Sequence, residues 1–162
     1  MAKIMKVSDM ICPITLSGRA VWINNWLNDY IDVEAGDDIF VMAMRIYLYM
    51  LRASHKRKTL LYQQRGRKLS PVPLLNPMSQ IKLPDEAYKQ KKELFLFTFA
   101  KRSILGLKQL QKLTGIQDIV SVIENALCLV YDLVSRTSQS QIFFLRDGNT
   151  SRLERIEICS FM

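Results

Sequence analysis

The side chains with the clearest claim on chemistry are basic. Residues 56–68 carry Lys56, Arg57, Lys58, Arg65, Arg67 and Lys68 without one acid, and Lys89, Lys91, Lys92, Lys101 and Arg102 make a second group. Cations grouped in this way suit phosphate contact, in which neutralisation releases counterions and makes affinity salt-dependent; the same grouping also suits a solvated face. Over the chain, 23 Lys and Arg stand against 15 Asp and Glu, giving net +8, a balance that favours nucleic acid or an acidic protein surface. Catalysis finds less support. His55, the single histidine, has no partner at acid-base or metal-ligand spacing, and it suits a solvated helix end, where a cation complements the dipole. Asp37-Asp38 fits helix capping better than a metal pair. Cys12, Cys128 and Cys159 are far apart, odd in number and without ligand spacing. Cys128 sits in an apolar run as a core residue, and the cysteine usage fits a reduced cytoplasmic compartment. With no phosphate-cradling glycine loop or nucleophile elbow, the expectation is a non-enzymatic protein with no catalytic residue, metal or cofactor. Trp22 and Trp26, at i and i+4 on one helix face, favour core packing over a base-stacking platform.

These side chains need elements to hold them. At 49% apolar the chain can bury a core. Its start lacks a continuous apolar signal segment, and the longest apolar stretch, residues 39–51, is broken by Arg45 and shorter than the roughly 18–20 residues a span needs; no membrane partner is expected. Residues 94–99 form an apolar strand. Ile104, Leu107, Leu110 and Leu113 then recur at helical spacing, with Lys108, Gln109, Gln111 and Lys112 opposite. Thr114-Gly115 ends this helix, glycine taking a left-handed cap without strain. Asp118 caps the next, residues 119–135, which is apolar nearly all round and must therefore be enclosed. Residues 141–146 and 152–158 form a hairpin about Asp147-Gly148. The first half follows the same plan less regularly: a short strand at 14–16, helices at 19–30 and 39–53 with Gly36-Asp37-Asp38 as break and cap, then a hairpin of 59–64 with 69–72 turning at Arg65-Gly66-Arg67. Pro71, Pro73 and Pro77 start a linker, in which Pro84-Asp85-Glu86 opens a short helix.

The two halves match in order and rough spacing. Ile14-Thr15-Leu16, Arg19, Asp38-Ile39, Leu60-Leu61-Tyr62 and Gly66 correspond to Phe97-Thr98-Phe99, Arg102, Asp118-Ile119, Ile142-Phe143-Phe144 and Gly148 at an offset of about 80. The expected organisation is copy one at 11–73, a linker at 74–92 and copy two at 93–159, in an α+β, mainly helical fold.

Strand, short helix, Thr-Gly break and longer apolar helix resembles the ribbon-helix-helix family of bacterial and phage DNA-binding proteins. The match is best over residues 97–127, where Thr114-Gly115-Ile116, Ser121-Val122-Ile123 and Ala126-Leu127 stand where the family has Thr-Gly-Leu and Val-Ile-x-x-Ala-Leu. It covers about 45 residues of each half, outside the hairpins and linker. The resemblance implies tandem units forming a pseudo-dimer, monomeric if the copies pair within one chain and homodimeric if they pair across chains. It also implies a regulator of transcription whose strand side chains enter the major groove of double-stranded DNA. By position, the base-facing residues would be Thr15, Ser17, Thr98 and Ala100. The helix starts at Asp38 and Asp118 would bind phosphate through free backbone amides. Arg19, Lys101 and Arg102, with Lys56, Arg57 and Lys58, would meet further phosphates.

The chain departs from that pattern at the reading face. Base-reading ribbons present Arg, Lys, Asn or Gln, whereas Pro13, Leu96 and Ala100 offer no hydrogen bond to a base edge, and copy one has Glu34-Ala35-Gly36 in place of Thr-Gly. The alternative is a non-catalytic adaptor or structural subunit of a larger assembly, docking a protein through the ribbon or through exposed hairpin edges.

Overall fold

A computed structural model describes residues 10–31 and 36–158, without the side chains of residues 36–38. Cys159 and the Glu34-Ala35 segment lie outside the described residues, as does the Asp38 side chain. The fold is α+β with two small antiparallel sheets. In chain order the elements are β1 (Met10–Leu16), α1 (Gly18–Tyr30), α2 (Gly36–His55), β2 (Lys58–Gln63), β3 (Ser70–Pro71), α3 (Pro77–Gln80), α4 (Asp85–Lys89), β4 (Glu93–Phe99), α5 (Lys101–Thr114), α6 (Ile119–Ser138), β5 (Ile142–Asp147) and β6 (Leu153–Ile156).

β1 and β4 pair with each other as a two-stranded ribbon, Met10 opposite Phe99 and Leu16 opposite Glu93. Period-2 alternation gives each strand an inner face: Ile14 and Leu16 from β1, Phe97 and Phe99 from β4, all buried. Phe40, near the start of α2, sets its ring edge-on to Phe97 at 4.1 Å and closes the space beneath. α2 packs on α6, α1 on α6 and α5 on α2, so each half of the chain covers the long helix of the other. This explains two helices apolar nearly all round: α6 is buried almost continuously from Val122 to Val134 because partners enclose it. The apolar side chains of both halves belong to one cluster.

β1 is longer than the expected 14–16. Proline 13 hides the signal, since it lacks the ladder donor, yet it is accommodated opposite Leu96. α2 begins at Gly36, so Asp38 lies within its first turn and is not its cap. Asp118 caps α6 as expected, accepting from Val120 N and Ser121 N at 3.3 Å each. Gly115 ends α5 at φ +72° with its N–H on Gln111 O at 3.0 Å. The last hairpin turns over residues 148–151, not on Asp147-Gly148 alone: Asp147 Oδ1 accepts from Asn149 N at 2.8 Å and Thr150 N at 3.2 Å. Those backbone donors stabilise the carboxylate and hold its pKa below the usual value.

The hairpins do not leave two exposed pairs of edges. β2 pairs with β5 over six residues, giving the sheet order β3-β2-β5-β6, so the inner edge of each hairpin is consumed by the other. β3 spans two residues and β6 four. The hairpin-edge docking route therefore loses most of its backbone.

The linker is a packed element. α4 starts at Pro84-Asp85-Glu86 as expected, α3 was not foreseen, and Met78, Leu83 and Ala87 are buried against α1 and α6. Tyr47, buried on α2, donates its hydroxyl to Leu74 O at 2.8 Å; burial, with Cys128 adding, pushes its pKa up to about 12. No single helix among the described residues is long and apolar enough to cross a membrane.

Candidate functional site

Among the described residues, the outer face of the ribbon is the surface that the alternation leaves without a packing partner. It consists of three cross-strand pairs: Ile11 with Thr98, Pro13 with Leu96, and Thr15 with Leu94. Ile11 is 53% exposed, Leu94 61% and Leu96 70%. Thr15 is exposed and Thr98 half-buried. These two hydroxyls are the face's only side-chain hydrogen-bonding groups; no Arg, Lys, Asn or Gln stands in the row. Of the four residues expected to face bases, Thr15 and Thr98 are on this surface and Ser17 and Ala100 are not.

Ser17 and Ala100 fall past the strand ends, where the chain turns into a helix. Ser17 is the N-cap of α1: its Oγ accepts from Ala20 N at 3.3 Å and donates to Glu124 Oε1 at 3.0 Å, while its N–H donates to Glu124 Oε2 at 2.9 Å. The Glu124 carboxylate thus fastens the start of α1 to α6, and a negative charge there suits the helix dipole. Ala100 occupies the same cap position of α5 without a side-chain bond.

The expected phosphate contacts scatter. Lys101 and Arg102 are exposed in the first turn of α5, next to the ribbon. Arg19 is engaged inside the chain, donating to Met78 O at 3.1 Å with its guanidinium 5.8 Å from the Tyr88 ring centre. Lys56, Arg57 and Lys58 lie past the far end of α2, about 24 Å from Phe40 at 1.5 Å per helical residue, where Arg57 turns with φ +61°. They belong to the four-stranded end and not to the ribbon end. Asp118 is also poorly suited to phosphate, because its own carboxylate takes the amides that would bind one.

Other chemically able residues are structural. Trp22 and Trp26 both set their rings edge-on to Tyr131, at 5.5 and 4.9 Å. Cys128 is buried, and desolvation, with Asp132 adding, pushes its thiol up to about 12, out of the range of a nucleophile. His55 is exposed at the end of α2. No cluster of three metal-ligating side chains occurs among the described residues.

The residues that sequence reasoning missed are Ile11 and Leu94 on the outer face. Their signal is alternation itself: with Phe95, Phe97 and Phe99 inside, Leu94 and Leu96 must point out. Comparison with known proteins found no matching family model, no matching curated protein and no matching solved structure.

Proposed function

We propose that this chain is a non-catalytic binding protein, built as two degenerate ribbon-helix-helix units fused into a pseudo-dimer, whose ribbon docks a partner protein. The pairing of β1 with β4 and the exchange of helices between halves support the pseudo-dimer. The observation that carries the docking reading is the outer row itself. Ile11, Pro13, Leu94 and Leu96 give an exposed, contiguous apolar strip, and strips of this kind mark interaction sites. Two threonines give little means of telling one base pair from another, since discrimination rests on bidentate donors and acceptors.

A second reading, sequence-independent attachment to duplex DNA, is favoured by the net charge of +8 and by Lys101 and Arg102 beside the ribbon. The two readings separate in a fluorescence titration of mixed duplex DNA at two salt concentrations. The docking reading expects weak, steeply salt-dependent binding without site preference, and selection of a preferred duplex would overturn it. Replacing Lys101→Ala together with Arg102→Ala is expected to lower the magnitude of the salt slope by about 2 if both meet phosphates; an unchanged slope removes them from any DNA contact.

A further inference from the structure

The packed linker supplies the observation. In the groove between α1 and α6 the backbone of Met78 is gripped from both sides: Arg19 donates to its carbonyl at 3.1 Å, and Asn125 Oδ1 accepts from its N–H at 3.0 Å. On the pseudo-dimer reading proposed above, on which this inference rests, an internal two-fold relates this groove to the one between α5 and α2. Counting from the caps Ser17 and Ala100, Arg19 corresponds to Arg102. Aligning buried Met42, Ala43, Ile46 and Tyr47 with buried Val122, Ile123, Ala126 and Leu127 places Arg45 against Asn125. Arg102 and Arg45 both line the α2–α5 groove, an open cleft of about 400 Å³.

Two features indicate what that cleft lacks. Gly18 on α1 is glycine because the linker passes over it, a Cβ there falling 1.8 Å from Gln90 O. Gly106, in the middle of α5 and lining the open cleft, has nothing within 4 Å of a Cβ; a mid-helix glycine weakens the helix relative to alanine, and no neighbour among the described residues requires it. Leu105 beside it is 55% exposed. The second feature is charge. Among the described residues, Arg45, Arg52 and Arg102 line the cleft and no acid does.

We infer that the α2–α5 groove docks a short acidic segment of a partner protein, lying there as the linker lies between α1 and α6. Asn125 accepts a hydrogen bond, whereas Arg45 can only donate. The two groups that hold Met78 thus become two cationic donors, with Arg52 nearby bonded to Gln109. A docked segment must bring acceptors, and carboxylates match a guanidinium fork. An apolar side chain of the same segment covers Leu105 and the bare Gly106. Residues 1–9 of this chain, with Lys3 and Lys6 against Asp9, carry the wrong charge to be the occupant. This surface is separate from the ribbon's outer face and stands without it.

The test is selection of a displayed library of random short peptides on the full-length protein. The expected result is enrichment of Asp- and Glu-rich peptides carrying a large apolar residue. Their affinity should fall roughly tenfold or more for Arg45→Glu and for Gly106→Trp, and persist for the ribbon variant Leu94→Asp with Leu96→Asp. Arg45 is exposed, so Arg45→Glu carries the test alone if Gly106→Trp fails to fold by circular dichroism. The inference is overturned if nothing enriches, if the enriched peptides lack acids, or if they bind the variants as they bind the wild type. Binding seen only after removal of residues 1–9 would assign the groove to the chain's own N-terminus and overturn it as well.

Discussion

Gly18→Ala is expected to destabilise the fold by roughly 2–4 kcal/mol, a large effect for one added methyl. The methyl would lie 1.8 Å from Gln90 O and 2.7 Å from Gln90 C, and both atoms are backbone, so no side-chain rotation relieves the overlap. Either α1 shifts or the end of the linker lifts. Lifting releases Ala87 and Leu83 from burial and strains the Arg19 and Asn125 contacts to Met78. Gly106→Ala is the matched control on α5. With nothing within 4 Å of the new methyl, it should stabilise by about 0.5–1 kcal/mol through helix propensity. Urea melts of the two variants should move in opposite directions; a Gly18→Ala protein as stable as the wild type would mean that the linker is not docked along α1.

Arg136→Ala should cost about 3–5 kcal/mol, because it strands a buried charge. Arg136 Nε donates to both carboxylate oxygens of Asp132 at 3.0 Å, its Nη1 reaches Gln141 Oε1 at 3.3 Å, and its guanidinium lies 3.7 Å from the centre of the Tyr62 ring. One side chain thus ties the end of α6 to β2 and to the start of the last hairpin. Asp132 is buried, and desolvation raises its pKa above the usual 3.8 even though Arg136 pulls it down. The native state therefore holds a proton that the unfolded chain has lost in the window from about 3.8 upward, and stability falls as pH rises through that window. Removing Arg136 takes away the lowering influence and extends the window upward. The deficit of the variant should be largest at neutral pH and shrink on mild acidification, and Asp132→Asn on the Arg136→Ala background should restore much of the loss. Denaturant melts at two pH values check both points; a deficit independent of pH would mean that the Asp132 charge is not its source.

What could be read from the sequence follows from how local the physics is. The α5–α6 half was legible because its signals are near neighbours: a left-handed glycine at 115, a capping carboxylate at 118, and apolar residues on every side of a helix that must be enclosed. The start of α2 was placed late because Asp37-Asp38 carries the same composition as a cap. β1 was cut short because Pro13 interrupts its pattern. Arg19 looked like a free cation, since its partner Met78 lies 59 residues away, and Asn125 gave no sign of meeting the same residue 47 residues off. The joining of β2 to β5 is long-range in the same way. At the ribbon, the positions carried over from the family resemblance included Thr15 and Thr98 but ran on through Ser17 and Ala100, because nothing in the residue types marks where strand backbone turns into helix cap. Apolar residues on both faces of β4 concealed which face was inside until Phe40 and the partner strand fixed it.

The central claim is that the ribbon's outer face binds protein. It is tested most directly by affinity capture from nuclease-treated lysate, comparing wild type with Leu94→Asp plus Leu96→Asp. Both leucines are exposed on the outer face, so the variant should fold and melt as the wild type does. The account predicts a partner held at fixed stoichiometry by the wild type and lost by the variant, with duplex DNA affinity unchanged between them. A variant that keeps every protein partner but loses selective binding to duplex DNA would contradict it and return the ribbon to base recognition.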